Sequence, residues 1–179
     1  PGVIAPRPLD DHDMGLVGFV LAPLCGQVYV DYLAPSAFAR RPHLWPLLMA
    51  ERSSTITYAP NFAWQMAAKS ATLIAADARL HTLRIAGVGG DYVDYAALHT
   101  FAQAFAPHGF NHDAFKPSYG LAEATLAVTM SDAPFERLGT YFYIDEALSA
   151  HELHKPDACA KYLVNCGQPL PGWTLLVRD

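Results

Sequence analysis

Short segments rich in β-branched and aromatic residues alternate along this chain with segments that have helical spacing. The strand-like segments are residues 28–33, 54–58, 83–87 and 115–118, and the helical segments are residues 14–24, 42–51, 61–75, 95–105 and 121–128. Strands that are separated by such helices pair in parallel through right-handed crossovers. The alternation therefore predicts an α/β fold, with a mostly parallel sheet that is flanked by helices.

Three loops that are rich in turn-forming residues follow the predicted strands. They comprise residues 58–61, 87–91 and 118–121. Parallel α/β sheets bind their ligands beyond the carboxyl ends of the strands. We therefore expect the three loops to converge on one edge of the sheet and to form a ligand site there.

Composition narrows the classes of partner. Of the 179 residues 52% are hydrophobic and 16% are charged, which excludes a disordered chain. The net charge is −5, and the longest basic stretch is Arg40-Arg41, so we expect no nucleic-acid partner. Residues 14–30 are uncharged, but three glycines and a proline interrupt them, so we expect no membrane span. Three cysteines without Cys-x-x-Cys spacing argue against a zinc ribbon.

The chain changes character after residue 130. Residues 131–162 are predicted to form an excursion with one strand (141–144) and one helix (146–153). Residues 162–165 return to strand. Residues 167–172 contain two prolines and two glycines and predict a stiff connector. Residues 173–178 alternate like the first strand of a different sheet, so we divide the chain into an α/β unit (1–166) and a connector with that strand (167–179).

The predicted loops and helix starts carry groups that suit nucleotide chemistry. Tyr119 could stack on a flat ring, Gly120 would let the backbone approach a ligand, and Glu123 could hold Mg²⁺. The same residues also fit a plain strand–helix turn with a core tyrosine and a glutamate that compensates the helix dipole. His12 could bond a carboxylate or phosphate, or simply cap the next helix. The Gly87-Val88-Gly89-Gly90 loop alone favours a tight turn.

Four motifs occur in order and together resemble one enzyme family. They are His12-Asp13-Met14-Gly15-Leu16, Pro60-Asn61-Phe62-Ala63-Trp64, Tyr119-Gly120-Leu121-Ala122-Glu123-Ala124-Thr125 and Cys166-Gly167-Gln168-Pro169-Leu170-Pro171-Gly172. In this order they resemble the central part of a fatty-acyl-AMP ligase, a member of the adenylate-forming superfamily. The resemblance implies that a fatty acid reacts with ATP to give acyl-AMP and pyrophosphate. The acyl group then passes to an acyl carrier protein, or to the carrier domain of a polyketide or peptide synthase.

The resemblance also implies roles for individual residues. The catalytic residues would be His12 and Glu123, with Glu123 holding Mg²⁺ beside ATP. The nucleotide-binding residues would be Gly89, Gly90, Asp91, Ser118, Tyr119, Gly120 and Leu121. The acyl-binding residues would be Met14, Gly15, Phe62 and Trp64. The excursion at 131–162 falls where acyl-AMP ligases carry an insertion, which favours a carrier protein over coenzyme A. A cytoplasmic location is implied as well.

The sequence also departs from the family pattern. Gly89-Gly90-Asp91-Tyr92 stands where the family often has Gly-Ala-Glu-Pro, and Tyr58-Ala59 replaces two glycines and would narrow the acyl tunnel. The family's phosphate loop, its ribose-binding Asp and its lysine-bearing C-terminal domain are missing, and the first residue is Pro1. We therefore expect a fragment that is inactive alone. The alternatives are an acyl-CoA synthetase, a non-catalytic nucleotide-binding module and an unrelated doubly wound protein.

Overall fold

The computed structural model of the chain describes residues 2–5, 13–144, 150–153 and 161–176. These residues form a seven-stranded main sheet and a three-stranded small sheet. The strands of the main sheet are β1 (Gly2–Ala5), β2 (Tyr29–Tyr32), β3 (Ile56–Ala59), β4 (Ile85–Val88), β5 (Phe115–Gly120), β6 (Ala127–Met130) and β10 (Gln168–Pro169). Those of the small sheet are β7 (Gly139–Ile144), β8 (Ala150–Leu153) and β9 (Lys161–Val164).

The main sheet is mostly parallel, as the alternation predicted. Its strand order is β10-β6-β5-β4-β3-β1-β2. The five strands from β2 to β5 pair in parallel, whereas β6 runs antiparallel to β5 and β10 antiparallel to β6. The sequence analysis did not identify β1, which lies between β2 and β3. The α/β fold class is confirmed, with two antiparallel strands at one edge.

Helices follow the strands in the expected order. A π-helical segment (Met14–Leu21) leads into α1 (Ala22–Gly26), and α2 (Pro35–Arg40), α3 (Leu44–Glu51), α4 (Asn61–Lys69) and α5 (Tyr95–Phe105) follow. Asp13 accepts a hydrogen bond from the Met14 amide at 3.0 Å, and Asp94 caps α5 through the amides of Ala96 and Ala97. None of the helices in the described ranges is long and apolar enough to cross a bilayer.

Alternate residues of β3 face two different apolar clusters. Thr57 and Ala59 are buried on the side of the large core, where Trp45 donates to Thr57 Oγ1 at 3.2 Å. Ile56 and Tyr58 pack instead against Met14 and Phe19 of the π-helical segment. This alternation is the ordinary two-residue period of a strand. It places helices on both faces of the sheet.

Residues 121–128, predicted to start a helix, reverse the chain instead. A short 3₁₀ turn (Ala122–Ala124) is followed by Thr125 at φ 73° and ψ −54°. The Leu126 amide donates to the Ala124 carbonyl at 2.9 Å, which completes a γ-turn. The chain then returns as β6 beside β5. Helix-forming residues therefore yield here to sheet pairing, which the local sequence does not reveal.

One further expectation from the sequence is wrong in the described residues. Residues 146–153 were predicted to be a helix, but Ala150–Leu153 is β8, which pairs antiparallel with β7; residues 145–149 lie outside the described residues. Residues 173–176 pair with no described strand and residues 177–179 lie outside the described part, so the strand expected at 173–178 stays a prediction. Residues 168–169 of the predicted connector pair with β6.

Trp64 lies at the centre of an aromatic cluster between the sheet and helices α4 and α5. Its ring centroid is 4.7 Å from that of Trp45, 4.8 Å from that of Phe101 and 5.1 Å from that of Phe115. Its indole nitrogen donates to the Ala59 carbonyl at 3.1 Å. The side chain is completely buried. Trp64 therefore fixes α4 against the end of β3.

Replacing Trp64 with alanine is expected to lower the free energy of unfolding by about 3–5 kcal/mol, because a large cavity replaces the indole. Urea-induced unfolding followed by circular dichroism measures this loss. Phe62, on the same helix and 49% exposed, provides the control. Phe62→Ala is expected to change the free energy by no more than about 0.5 kcal/mol. Equal losses in the two variants would contradict this description of the core.

Candidate active site

The ends of three neighbouring parallel strands meet at one edge of the sheet. Strands β3, β4 and β5 pair in register, with Ala59 opposite Val88 and Val88 opposite Pro117. The loops that follow these strands therefore converge, as the sequence predicted. Two adjoining cavities lie at this edge.

The first cavity is apolar and has a volume of about 350 Å³. The π-helical segment provides Met14, Gly18 and Phe19, and strand β3 provides Ile56 and Tyr58. Leu126 and Ala127, at the start of β6, complete this side of the wall together with Met130. Non-standard helical backbone is common at functional sites, and here it borders the cavity directly. The lining suits a hydrocarbon group.

The second cavity is more polar and has a volume of about 540 Å³. Its wall comprises Asp13, Gly90, Asp91, Tyr92, Val93, Ser118, Tyr119, Gly120, Leu121, Ala122, Val164 and Cys166. The exposed ring of Tyr119 offers an aromatic face, and Asp13 and Asp91 contribute carboxylates. This mixture of one flat ring, loop backbone and oxygen ligands suits a nucleotide.

The two cavities adjoin along a shared set of residues. The shared residues are Asp13, Gly90, Ser118, Tyr119 and Gly120. A β-bulge between Tyr119 and Gly120 bends β5 at this point. Gly120 is required there, because a Cβ atom would overlap the Leu126 carbonyl oxygen of the returning chain. A ligand with an apolar and a polar half could therefore occupy both cavities at once.

Tyr58 reaches from β3 across β4 to β5. Its ring covers Gly87, where an added Cβ atom would overlap the ring carbons. Its hydroxyl bonds the Ser118 hydroxyl, and Ser118 Oγ donates to the Val88 carbonyl at 3.3 Å. Because serine has one proton, Tyr58 is the donor to Ser118. Burial raises the pKa of Tyr58 to about 12, which keeps this donor protonated.

Asn61 holds the loop after β4 against the start of α4. Its side-chain oxygen accepts from the Asp94 amide at 2.9 Å, and its side-chain nitrogen donates to the Tyr92 carbonyl. Gln65 donates to the Asp94 carboxylate at 3.1 Å. The motif residues 60–64 thus position the wall of the polar cavity. Pro60 occupies the N-cap position of α4, so the side chain of Asn61 is used for these contacts.

The structure brings most of the predicted nucleotide-binding residues together. Those that line the polar cavity are Gly90, Asp91, Ser118, Tyr119, Gly120 and Leu121. Gly89 is buried beside them, and a Cβ atom on it would lie 2.8 Å from Ser118 Oγ. This grouping supports the predicted nucleotide site, whose individual roles stay predictions.

The predicted acyl-binding residues divide into two groups. Met14 lines the apolar cavity, and Gly15 is buried next to it. Phe62 and Trp64 line neither cavity. Trp64 lies within the large core instead, and Phe62 is half-exposed on α4. Their motif contributes Asn61 to the wall of the polar cavity, and the acyl-binding roles of Phe62 and Trp64 stay predictions.

Of the two predicted catalytic residues, only Glu123 lies in the described part of the chain. Glu123 is exposed on the 3₁₀ turn and lines neither cavity. His12 lies outside the described residues. Within the described ranges no three His, Cys, Asp or Glu residues lie close enough together to hold a metal ion.

Several residues of the site were not predicted from the sequence, and three of them border the polar cavity. Asp13 borders both cavities, although the sequence assigned it no role in the site. Val164 is the last residue of β9 and Cys166 follows that strand; both line the polar cavity. Burial raises the pKa of the Cys166 thiol. The position of Cys166 at the start of the last motif was the available signal for this wall.

Gly87→Ala is expected to lower the free energy of unfolding by about 1–3 kcal/mol, because the new methyl group overlaps the Tyr58 ring. Adding Tyr58→Ala removes that overlap, so the two losses should be non-additive by about 0.5–3 kcal/mol. Urea unfolding of the single and double variants measures this coupling.

Gly26→Ala is the matched control for this cycle, because its Cβ atom would meet only Val28 at 3.9 Å. It is expected to show no coupling with Tyr58→Ala. Strictly additive losses for Gly87→Ala and Tyr58→Ala would contradict the described packing of the tyrosine ring.

Comparison with known proteins identifies a family and several similar enzymes. The family model described as "AMP-binding enzyme" matches residues 8–179. A Caulobacter vibrioides protein named as an acyl-CoA synthetase is 40% identical over 174 residues, which are 93% of this chain and 30% of that protein. The long-chain-fatty-acid–AMP ligase FadD32 of Mycolicibacterium smegmatis is 39% identical over 131 residues, which are 70% of this chain and 21% of that enzyme.

Among solved structures, the fatty acyl-adenylate ligase of L. pneumophila in complex with acyl adenylate and pyrophosphate superimposes with a TM-score of 0.81. The sequence identity is 28%, and the match covers 94% of this chain and 30% of that one. The chain thus spans less than a third of the length of the curated relatives it matches. Because the family model covers nearly the whole sequence, the chain belongs to the AMP-binding enzyme family and is similar to its fatty-acyl-AMP ligases.

Proposed function

We propose that this chain provides the acyl and nucleotide cavities of a fatty-acyl-AMP ligase. The observation that carries the proposal is the shared boundary of an apolar and a polar cavity at Gly90 and residues 118–120. An acyl adenylate has the same two halves, an alkyl chain and a nucleotide, joined at a carbonyl–phosphate link. The similarity to a ligase that was solved with acyl adenylate supports this assignment.

The reaction joins two anions at the boundary of the cavities. A carboxylate oxygen forms a bond to the α-phosphorus of ATP, and the bond from that phosphorus to the bridging oxygen of the β-phosphate breaks. Pyrophosphate leaves with the electron pair. The task of this chain is mainly alignment: the apolar cavity holds the alkyl chain, and Tyr119 packs against the adenine. Loop backbone at Gly90 allows the phosphates to approach closely.

Charge balance at this boundary requires a cation. In the described part of the chain, no lysine or arginine lines either cavity, whereas Asp13 and Asp91 do. Mg²⁺ is commonly held by one or two carboxylates together with substrate phosphates, so these oxygen ligands fit it. Glu123, to which the family resemblance assigns the ion, lies on the 3₁₀ turn after β5 and lines neither cavity. When bound, Mg²⁺ neutralises the triphosphate and stabilises the charge that develops on pyrophosphate.

The acceptor of the acyl group is proposed to be an acyl carrier protein or a synthase carrier domain, in the cytoplasm. Residues 1–166 would form the nucleotide- and acyl-binding unit, and residues 167–179 the connection to the next one. The small sheet of β7, β8 and β9 falls almost wholly within the proposed insertion (131–162); only the end of β9 extends beyond it. The name of the Caulobacter relative favours a second candidate, transfer to coenzyme A.

The test is fatty-acid-dependent exchange of labelled pyrophosphate into ATP, with the protein expressed from its natural gene. The proposal predicts exchange with fatty acids and none without acid. Tyr119→Ala should lower kcat/KM for ATP about tenfold, because aromatic–base stacking contributes roughly 1–3 kcal/mol. The control Tyr29→Ala removes a tyrosine that is 83% exposed on the edge strand β2, and it should have no effect.

The other outcomes separate the alternatives. Magnesium-dependent ATP binding without exchange would contradict the proposal and favour a non-catalytic module. Acyl transfer to coenzyme A but not to a holo carrier protein would identify an acyl-CoA synthetase. The 179-residue chain alone is expected to release no pyrophosphate, because three of the family's catalytic parts are missing from its sequence.

A further inference from the structure

Tyr58 forms the wall of the apolar cavity where that cavity meets the polar one. Its ring lines the apolar cavity, and its hydroxyl bonds Ser118, which borders both cavities. If the proposed function is correct, the carboxyl end of the acyl group lies at this boundary, because the carboxylate must reach the α-phosphate. The tyrosine therefore stands beside the first carbons of the acyl chain rather than at its far end.

The tyrosine ring is held in place from three sides. The ring packs directly on Gly87, where any Cβ atom would overlap it. Ser118 fixes the hydroxyl, and its own proton goes to the Val88 carbonyl at 3.3 Å. Ile56, Met14 and Phe19 belong to the same apolar cluster. A ring with so many restraints is a rigid wall, and it does not yield to a bulky ligand.

We propose that Tyr58 is a specificity-determining residue that restricts the substrate to acyl groups unbranched next to the carboxylate. The inference rests on the proposed function. The tyrosine ring fills the slot above Gly87, the space that a substituent on the α-carbon would otherwise enter from this wall. Without the ring, strand β4 offers a glycine there and the slot is open.

The hydroxyl of Tyr58 has a positioning role only. Its proton is used in the bond to Ser118, so it has none to donate to a carboxylate. The restriction on substrates therefore comes from the ring. This distinction predicts opposite results for two variants: Tyr58→Phe keeps the wall, and Tyr58→Ala removes it.

The experiment compares two substrates in the protein expressed from its natural gene. The linear fatty acid that the protein activates best is tested against its 2-methyl derivative by pyrophosphate exchange. The measured quantity is the ratio of kcat/KM for the branched acid to kcat/KM for the linear acid. Because both values come from one sample, the ratio is independent of the fraction of folded enzyme.

Tyr58→Ala is expected to raise this ratio about tenfold or more, because one methyl group in an apolar pocket changes the discrimination in kcat/KM by that range. Tyr58→Phe is expected to leave it within about twofold. Ile56→Ala is the position control, since Ile56 lines the same cavity from the same strand, whereas the ring over Gly87 and the bond to Ser118 belong to Tyr58; its ratio should also stay near that of the unmodified protein. If Tyr58→Ala does not fold, Tyr58→Leu tests the same slot with less loss of packing.

Three results would overturn the inference. An unchanged ratio in Tyr58→Ala and Tyr58→Leu, in protein that still exchanges pyrophosphate with linear acids, would refute the wall and leave the proposed function intact. An equal rise in Ile56→Ala would refute the location at the boundary. Absence of exchange with every fatty acid in the unmodified protein would instead refute the proposed function, and this inference with it.

Discussion

Parallel pairing of β3, β4 and β5 is the constraint on which the rest of the structure depends. It brings three strand ends to one edge, so residues sixty positions apart, such as Tyr58 and Ser118, meet there. The two-residue period of β3 then separates the functions of its faces. Thr57 and Ala59 belong to the side of the aromatic core that supports the sheet, and Ile56 and Tyr58 line the apolar cavity.

The site is assembled from an ordinary α/β edge by three local departures from regular structure. The π-helical segment borders the apolar cavity, the bulge at Tyr119 and Gly120 bends β5, and the γ-turn at Thr125 returns the chain as β6. The returning strand closes the side of the apolar cavity through Leu126 and Ala127. Irregular backbone thus provides the shape, while the sheet and the aromatic core provide the rigidity.

The sequence predicted the fold class and the convergence of the loops because both depend on local periodicity and on turn residues. Helix α5 was predicted with the bounds that the structure shows, since Asp94 caps it and its apolar face is regular. The helices expected at 121–128 and 146–153 were wrong, because antiparallel pairing with the preceding strands β5 and β7 outweighs local helix propensity there. Strand β1 was not predicted, because its four residues are too few to show an alternation of polar and apolar side chains.

In the candidate site, too, features that depend on local sequence were predicted, whereas features that depend on tertiary packing were not. Motifs identified the loops that line the polar cavity, but they did not reveal that Trp64 is buried in the core beside Trp45, Phe101 and Phe115. The departure at Tyr58 was visible in the sequence as a narrowing of the acyl tunnel. The contact of its ring with Gly87 and its bond to Ser118 depend on the register of the paired strands, which a single sequence does not provide.

The central claim is that the apolar cavity holds the acyl chain and the polar cavity the nucleotide, with their link at the shared boundary. A crystal structure of the protein with a non-hydrolysable acyl-adenylate analogue tests this directly. The account predicts the alkyl chain between Phe19 and Ile56, the adenine against Tyr119, and the acyl–phosphate link beside Gly90. An analogue bound outside these cavities, or one whose alkyl chain lies in the polar cavity, would contradict it.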